Sequence, residues 1–550
     1  MVNVRLAGMN APIRILEELK ALKQDLEHTA SSERTKLESA IQRTGELAEM
    51  FTPEVLAAAY ARISRKPEDV NKLLEEAIHD VTEARKSNER IIYGMGHHSV
   101  ADHALFNFNI TDVSRLAVED IEKRRIGVGY TEKSQRYITL DADLDDIIEP
   151  QEYSQDDLEK FKQLVQQQNS FYRYAFTKLY EHLQKKNSDK MQKLESKEKK
   201  DFLKSLEGSA KEDARFAVCQ ATKAQLGCSL DGEALEHTIR TLKYGRLKED
   251  RELAKQLFEE AKNYAPSLIQ LTDPEIFRQH NPGQELMDGN FEFTDPWLRE
   301  LVHSQFNLPP LLRKLELVGY ISYKLETRFR KDGRVTFVKS NNIDRNIIAA
   351  LLHEYSDKSI EECYERACIL AKNKLADYFV QQAFRCISAF DKTPRAFEVS
   401  NGMMFEVVIS ASGFAQLKRH RLMTLLSQDY NPELGITIPP NIEEVGLAGE
   451  LKNIAELSAG QYSDFKPSYG KAAEYCLTNA HRRRTLVGIN TRELYHVSRT
   501  REDKHAQWEI RGLVNSMSRL AKQAAPLTTL LLGGQDEFPN IYKEVYSVKK

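Results

Sequence analysis

The sequence predicts an α+β protein of two related halves, each a small, mostly antiparallel sheet flanked by helices, with an extra helical segment at the N-terminus. Most of the chain carries apolar residues at helical spacing. Two short segments, 105–110 and 405–409, instead alternate apolar and polar residues, as half-buried strands do. Because 550 residues exceed the length at which one core keeps growing, we expect at least two domains.

The composition argues against several classes of protein. The 79 basic and 82 acidic side chains nearly balance, so charge gives no argument for a nucleic-acid or membrane partner. The six cysteines lack paired spacing, which argues against a disulfide framework or a zinc site, and no metal site is predicted. Signal-peptide features and long apolar windows are missing. We therefore expect a soluble, cytoplasmic protein that holds any anionic ligand locally.

The chain divides at a segment with the composition of a connection. Residues 270–296 contain several Pro and Gly residues, which favour loops. We expect a solvated helical extension at 1–50, a first domain at 51–295 and a second at 296–550. The other predicted elements are, in order, helices at 53–64, 69–92 and 156–265, strands at 315–327 and 334–339, and helices at 343–354 and 358–386.

A set of motifs occurs twice in the same order. The alternating segment at 405–409 corresponds to the one at 105–110, and in each half a helix follows it. Farther on, Ser427-Gln428-Asp429-Tyr430 echoes Ser134-Gln135-Arg136-Tyr137. A repeat of roughly 250 to 300 residues is too long for a solenoid unit and has the size of a duplicated domain.

A basic run closes the helix of the second half. Gln416 and Arg419 are three residues apart and share a face, and His420 and Arg421 follow directly. Paired guanidinium donors beside an amide and an imidazole suit a phosphate or an anionic ring. The alternative is a solvated helix C-terminus, where cations are favourable without any ligand.

A second polar cluster lies near the C-terminus. Thr491 is a candidate N-cap, and Arg492 and His496 lie on one face of the helix that follows. Beyond Asp503, apolar residues recur at helical spacing and predict a buried helix. So many polar side chains beside a buried helix are costly unless they are paired or hold a ligand.

Together these motifs resemble the flavin-dependent thymidylate synthase (ThyX) family. The matching segments are Gly96-His97-x-Ser99-x-x-Asp102-His103, Glu132-x-Ser134-x-Arg136-Tyr137, Arg419-His420-Arg421, Asn490-x-Arg492-x-Leu494 and Arg501-x-x-x-His505-Ala506-Gln507-Trp508-Glu509. The resemblance implies an enzyme that binds FAD and methylates dUMP to dTMP with 5,10-methylenetetrahydrofolate and NADPH. It also implies sites shared between subunits of a homotetramer, which two tandem ThyX-like domains would imitate as a homodimer.

The resemblance assigns roles to residues of both halves. The implied FAD-binding residues are Ser64, His97, Ser99, Glu132, Arg419, His420, Arg421, Asn490, Arg492, His496 and His505. The implied dUMP-binding residues are Ser134, Gln135, Arg136, Arg215, Gln416, Arg419 and Arg501. The implied catalytic residues are Arg501 and His97.

Each half lacks family residues that the other half keeps. The first half has Arg124-Arg125-Ile126 in place of Arg-His-Arg and Asp231-Gly232-Glu233 in place of Asn-x-Arg. The second half lacks the histidine turn and has Asp429 at the place of the Ser-x-Arg-Tyr arginine, with Glu474 roughly where Arg215 stands. We therefore expect one complete site assembled from complementary residues of both halves, and an inactive counterpart.

Two other functions remain open at this point. His496 stands where the family usually has asparagine, and Thr424 replaces a serine. These changes also fit a flavin-dependent pyrimidine nucleotide C5-hydroxymethylase. A non-catalytic flavin- or nucleotide-binding scaffold is the alternative from another class.

Overall fold

The computed structural model describes most of the chain. The described residues are 2–10, 13–27, 34–134, 146–243, 245–273, 275–276, 329–338, 342–354, 359–372, 395–399 and 402–547. The predicted strand at 315–327, the end of the predicted helix at 358–386, Gln135 and Arg136 lie outside these residues. Among the described helices, none is long and apolar enough to cross a membrane.

The first half alternates strands with helices. Its strands are β1 (Asn3–Met9), β2 (Leu105–Ser114), β3 (Val128–Glu132) and β4 (Lys223–Asp231). Its helices are α1 (Ile13–Glu27), α2 (Arg34–Met50), α3 (Glu54–Ile63), α4 (Val70–His79), α5 (Val81–Ile92), α6 (Arg115–Ile121), α7 (Gln155–Lys186), α8 (Ser188–Gln192), α9 (Ser196–Ala214), α10 (Gly232–Lys243) and α11 (Lys248–Ala261).

The second half repeats this plan. Its strands are β5 (Phe329–Asp332), β6 (Val335–Val338), β7 (Met403–Ser410), β8 (Thr424–Ser427) and β9 (Arg482–Ile489). Its helices are α12 (Ile343–Glu354), α13 (Ile360–Lys372), α14 (Ala411–Leu417), α15 (Pro440–Glu444), α16 (Ala448–Tyr469), α17 (Thr491–Arg501), α18 (Trp508–Ala524) and α19 (Phe538–Ser547).

The two sheets have matching strand orders. The first is β1-β2-β4-β3 and the second is β5-β6-β7-β9-β8, and all their pairs are antiparallel. β6 therefore corresponds to β1, β7 to β2, β9 to β4 and β8 to β3. The predicted fold class, α+β with a small antiparallel sheet in each half, is confirmed.

Three sequence-based predictions are corrected. The N-terminal 50 residues are not only helical, because β1 pairs along β2 and is an edge of the first sheet. The predicted helix at 156–265 is interrupted by β4, whose residues alternate in burial as a strand requires. The predicted helix at 69–92 is two helices, because the side chain of Asp80 accepts from the backbone N–H of Glu83 and starts a new one.

The same capping device starts the matching helices α6 and α14. Ser114 accepts from the backbone N–H of Ala117, and Ser410 accepts from that of Gly413, each at 3.0 Å. Buried carboxylates on α11 and α18 hold these serines. Glu249 accepts from the backbone N–H of Ser114, and Glu509 accepts from that of Ser410. The repeat thus extends to individual hydrogen bonds.

The halves pack around a shared core. Tyr430, Phe465 and Tyr475 of the second half belong to the hydrophobic cluster that surrounds the first sheet. Around an antiparallel bridge between Cys219 and Thr478, backbone hydrogen bonds cross in both directions. The two halves are therefore one packed unit.

A buried glutamine on α7 fastens this contact. Gln168 donates its amide to Ser458 Oγ and to the carbonyl of Cys476, both at 2.9 Å and both in the second half. Gln168 and Ser458 are fully buried, so water cannot replace these bonds without opening the interface.

We expect Gln168→Ala to lower the free energy of unfolding by about 1 to 3 kcal/mol, because it removes two buried hydrogen bonds between the halves. Denaturant unfolding followed by circular dichroism and by tryptophan fluorescence should still give one coincident transition, because the core is shared. Gln167→Ala, on the exposed side of the same helix, is the control and should stay within about 0.5 kcal/mol. Two separate transitions would contradict a shared core.

Candidate functional site

The basic run of the second half begins where α14 ends. Gln416, on its last turn, and His420, just beyond it, are both buried, whereas the Arg419 side chain is 41% exposed. The short helix therefore buries an amide and an imidazole and presents a guanidinium at the surface.

Arg501, the last residue of α17, joins these groups. Its Nε–H donates to His420 Nε2 at 2.8 Å, and one terminal nitrogen donates to Gln416 Oε1 at 3.1 Å. Burial, with Arg501, His496 and Arg419 nearby, holds the pKa of His420 well below its usual value. The imidazole is therefore neutral and can accept the hydrogen bond that orients Arg501.

The start of α17 is fixed by the predicted Asn-x-Arg motif. Asn490, and not the predicted Thr491, caps the helix by accepting from the backbone N–H of Glu493 at 2.8 Å. Arg492 forms an ion pair with Glu398, and the ring of His496 lies edge-on to His420 at 5.6 Å between centroids.

Beyond the other end of α17, His505 is exposed. Its Nδ1 lies 2.8 Å from the carboxylate of Asp503, which also accepts from the backbone N–H of His505. Hydrogen bonds within its own loop thus position this predicted flavin-binding residue.

From the first half, Glu132 reaches this region. Its side chain is only 2% exposed and forms an ion pair with Arg115, while Lys418 and Arg419 of the second half lie 3.8 and 4.0 Å away. Burial alone would raise the pKa of Glu132, but these cations lower it to about 2. Lys418 also pairs with Glu122 at 2.7 Å. Glu132 is therefore an ionised carboxylate between the halves.

Two arginines exchange hydrogen bonds across the same boundary. Arg421 donates to the carbonyl of Val128, and Arg125 donates to the carbonyl of Met423. The bonds run in opposite directions between matching loops, and they align the helix end of each half with the start of β3 or β8 in the other. Arg125 and Arg421 are each the fourth residue after their helix, so Lys123-Arg124-Arg125, and not the predicted Arg124-Arg125-Ile126, stands in place of Arg-His-Arg.

These contacts border a cavity of about 650 Å³ on the outer face of the first sheet. Both halves line it: Asn107, Phe108, Asn109, Glu122, Gly129, Tyr130, Thr131, Glu132, Gly227, Cys228, Ser229, Lys418, Arg419 and Arg421. Its volume lies in the range of small-molecule sites, roughly 300 to 1,000 Å³. Three cations face two carboxylates here, so the cavity favours an anionic ligand.

Arg215 is buried at the contact between the halves. It donates Nε–H to the carbonyl of Glu212, and its own carbonyl accepts from Asn479 of the second half. Nearby, Asp213 accepts from Trp508 and Asn441 of the second half, and burial raises the pKa of Asp213 to about 6.

The predicted flavin-binding residues Ser64, His97 and Ser99 are all exposed. Ser64 ends α3, and the turn that begins after His97 packs mainly on α3, α5 and α10 of its own half. These three residues lie on the first half, whereas Glu132 is brought directly to the second-half cluster.

The sequence echo between the two Ser-Gln motifs is misaligned. In the sheets, Glu132 pairs with Leu226 and Ser427 pairs with Thr485, at matching positions of β4 and β9. Ser427 thus corresponds to Glu132 rather than to Ser134. By the same register, Asp429 corresponds to Ser134 and not, as predicted, to Arg136. Ser134 itself lies just beyond β3. The hydrogen-bond register of the strands determines this correspondence, and the sequence motif alone does not reveal the register.

At the related place where a second site would be expected, charged side chains of the protein pair with one another. The carboxylate of Asp429 accepts hydrogen bonds from both terminal nitrogens of Arg246, at 2.9 and 2.5 Å, and from Lys471 at 3.1 Å. Burial alone would raise the pKa of Asp429, but these cations hold that pKa well below its usual range. Lys471 also pairs with Glu474 at 2.6 Å, and Lys123 pairs with Asp120.

Positions on α10 of the first half can be matched to positions on α17 of the second. Asp231 caps α10 by accepting from Ala234, as Asn490 caps α17 by accepting from Glu493. By this correspondence, Leu242 stands where Arg501 stands. The local cavity is only about 200 Å³ and is lined by Arg124 and His237, among others.

Sequence reasoning missed several residues of the site. Lys418 directly precedes Arg419, so extending the basic run by one residue would have found it. Arg115 and Glu122 carry no motif signal. Neither do Arg246 and Lys471, whose shared partner Asp429 is distant in sequence.

Comparisons with known proteins match both halves. The family described as thymidylate synthase complementing protein (Thy1) matches residues 46–267 and 337–527, more than half of the chain. A UPF0159 protein of Thermoplasma acidophilum is 22% identical over 80% of this chain and 86% of its own length. A flavin-dependent thymidylate synthase of Clostridium tetani is 27% identical over 42% of this chain and 86% of its own length.

A solved structure, that of a UMP/dUMP methylase (PolB) from Streptomyces cacaoi bound with 5-Br dUMP, covers 49% of this chain and 93% of that chain at 15% identity. Its TM-score of 0.30 is too low to establish a shared fold. The family match in each half confirms the resemblance recognised in the motifs: the chain belongs to the thymidylate synthase complementing protein (Thy1) family, with the family domain present twice.

Proposed function

We propose that this protein is a flavin-dependent thymidylate synthase that converts dUMP to dTMP, with FAD as cofactor, 5,10-methylenetetrahydrofolate as one-carbon donor and NADPH as reductant. The observation that carries the proposal is the cluster of Arg501, His420 and Gln416, next to Arg419, whose guanidinium lies 4.0 Å from Glu132. The Clostridium tetani relative carries the same activity in its name.

The residues present fit phosphate-bearing ligands. In the 650 Å³ cavity, Glu122 and Glu132 are already paired with Lys418 and Arg115. Arg419 meets Glu132 only at 4.0 Å and is 41% exposed, so its guanidinium can turn to an anion. A nucleotide phosphate and a flavin diphosphate are both ligands of this class.

In this proposal the second half polarises the pyrimidine. Arg501 donates hydrogen bonds to His420 and Gln416, so its guanidinium is preorganised in position. It would stabilise negative charge that develops on the uracil ring. When bound, the reduced flavin supplies the hydride. Gln416 and Arg419 would orient dUMP, with His420, Arg421, Asn490, Arg492, His496 and His505 as the flavin-facing wall.

The first half would supply the opposite wall. Glu132 positions Arg419, and Ser134, Gln135, Arg136 and Arg215 would bind the nucleotide, while Ser64, Ser99 and the catalytic His97 would contact the flavin. Because these last three are exposed on their own half, they are available to a second chain. We therefore propose a homodimer in which four domains imitate a ThyX tetramer, in the cytoplasm and without nucleic-acid or membrane partners.

Product analysis tests the activity. The purified protein should be yellow with an oxidised-flavin spectrum, and incubation with dUMP, methylenetetrahydrofolate and NADPH should yield dTMP by mass spectrometry. A hydroxymethylated nucleotide would replace the proposal with the C5-hydroxymethylase. Bound flavin without turnover would replace it with the scaffold.

We expect Arg419→Ala to weaken dUMP binding by at least about 30-fold in calorimetric titration, because a charged anchor is lost. Lys123 is the second residue after α6 as Arg419 is the second after α14, so Lys123→Ala is the matched control and should bind as the unaltered protein does. The titration should saturate at one dUMP per chain, because ion pairs fill the counterpart site. Two equal sites, or unchanged binding by Arg419→Ala, would overturn the composite site.

Glu132 predicts an acid-sensitive contribution to stability. Its folded pKa of about 2 lies below the unfolded value, so its stabilisation is present above about pH 4.5 and is lost as pH falls toward 2. Its size is on the order of 3 kcal/mol. Glu132→Gln should be less stable by that order at pH 7, and the difference should shrink by pH 2 in denaturant titrations.

The control for this prediction is Glu406→Gln, which removes a half-exposed ion pair with Arg484. Its effect should stay below about 1 kcal/mol at either pH. A pH-independent loss in Glu132→Gln would show that packing, rather than charge, carries the contribution of Glu132.

A further inference from the structure

Three side chains with metal-ligating atoms meet beside the Arg501 network. They are His420, Glu493 and His496, and one nitrogen or oxygen from each lies within 4.8 Å of the others. Within the part of the chain that the structure describes, this is the only such group of three or more histidine, cysteine or carboxylate side chains.

The helix geometry explains the convergence. Glu493 and His496 are three residues apart on α17 and share a face, and a Glu-x-x-His pair of this spacing is a recurrent ligand pair in helical metal sites. His420 approaches from the end of α14. Glu493 and His420 are buried while His496 is exposed, so the group has a solvent-facing side through which an ion can enter.

The hydrogen bond from Arg501 determines the tautomer of His420. Arg501 can only donate, so His420 Nε2, at 2.8 Å, carries no proton. The proton of the neutral ring is then on Nδ1, which lies 3.8 Å from Glu493 Oε1. An ion that binds Nδ1 needs its lone pair, which moves the proton to Nε2. The ring then cannot accept from Arg501.

We propose that His420, Glu493 and His496 form a binding site for a divalent transition-metal ion of the zinc class, and that its occupancy releases Arg501 from His420. Two imidazole nitrogens and one carboxylate oxygen suit Zn²⁺ and leave a position for water. Small side-chain rotations bring atoms within 4.8 Å of one another to the roughly 2.0 to 2.2 Å bond lengths of zinc. The proton of His420 stays on its ring, because it only changes nitrogen.

The first half supplies a matched control. His237 follows Ala234 on α10 by three residues, as His496 follows Glu493 on α17. Arg124 is the third residue after α6, as His420 is the third after α14. The first half therefore has the corresponding histidine without its two partner ligands.

The experiment is a titration of purified full-length protein with zinc chloride against a chelator of known affinity. Bound flavin is removed first, because His420 and His496 are also proposed to face the flavin. The unaltered protein and His237→Asn should each bind one Zn²⁺ per chain at this site. His496→Asn, a substitution at an exposed position, should bind at least about tenfold more weakly. Equal affinity in His496→Asn, an equal loss in His237→Asn, or no zinc binding by the unaltered protein would overturn the site.

The tautomer gives a second, independent readout. In protein labelled with ¹⁵N-histidine, zinc should move the His420 proton signal from Nδ1 to Nε2, and His496→Asn should abolish the change at the same zinc concentration. Zinc bound with His420 still protonated at Nδ1 would contradict the release of Arg501. Both measurements omit dUMP and folate, so their outcome is separate from that of the proposed synthase activity.

Discussion

The buried carboxylate of Glu132 is the interaction on which the site depends. It lies at the edge of the first sheet among Arg115 of its own half and Lys418 and Arg419 of the other. An unpaired charge buried this deeply would be very costly, so the cations must stay close for the fold to persist. Because Lys418 and Arg419 pair with Glu132, the end of α14 and the Arg419 guanidinium stay against the first half.

The duplicated domain divides its polar residues unequally. In the second half, Arg501 keeps acceptors at Gln416 and His420, whereas the matching position of the first half is the apolar Leu242. Conversely, Asp429 and Glu474 of the second half bind Arg246 and Lys471. Internal ion pairs thus replace a ligand at one of two related places, while the other keeps cations that face a cavity.

The sequence-based reading identified the class of fold, the duplication and the family. Alternation predicts β2 and β7, but the edge strands β3 and β8 and the central strands β4 and β9 are not predicted, and β4 lies inside a predicted long helix. Central strands are paired on both sides, so the sheet stabilises them whatever their local helical preference. The prediction of an entirely helical N-terminus is wrong for a related reason, since β1 becomes a strand only along β2.

For the site, the amino-acid sequence by itself determined which residue types are present: the Arg419-His420-Arg421 run, the Asn490 and Arg492 pair, and complementary losses in the two halves. Only the tertiary structure decided which of them meet. It placed Glu132 beside Arg419, paired Asp429 with Arg246, and aligned Ser427 with Glu132 rather than Ser134. The physical reason is that these ion pairs and the strand register form between segments far apart in the chain, where local sequence patterns carry no information.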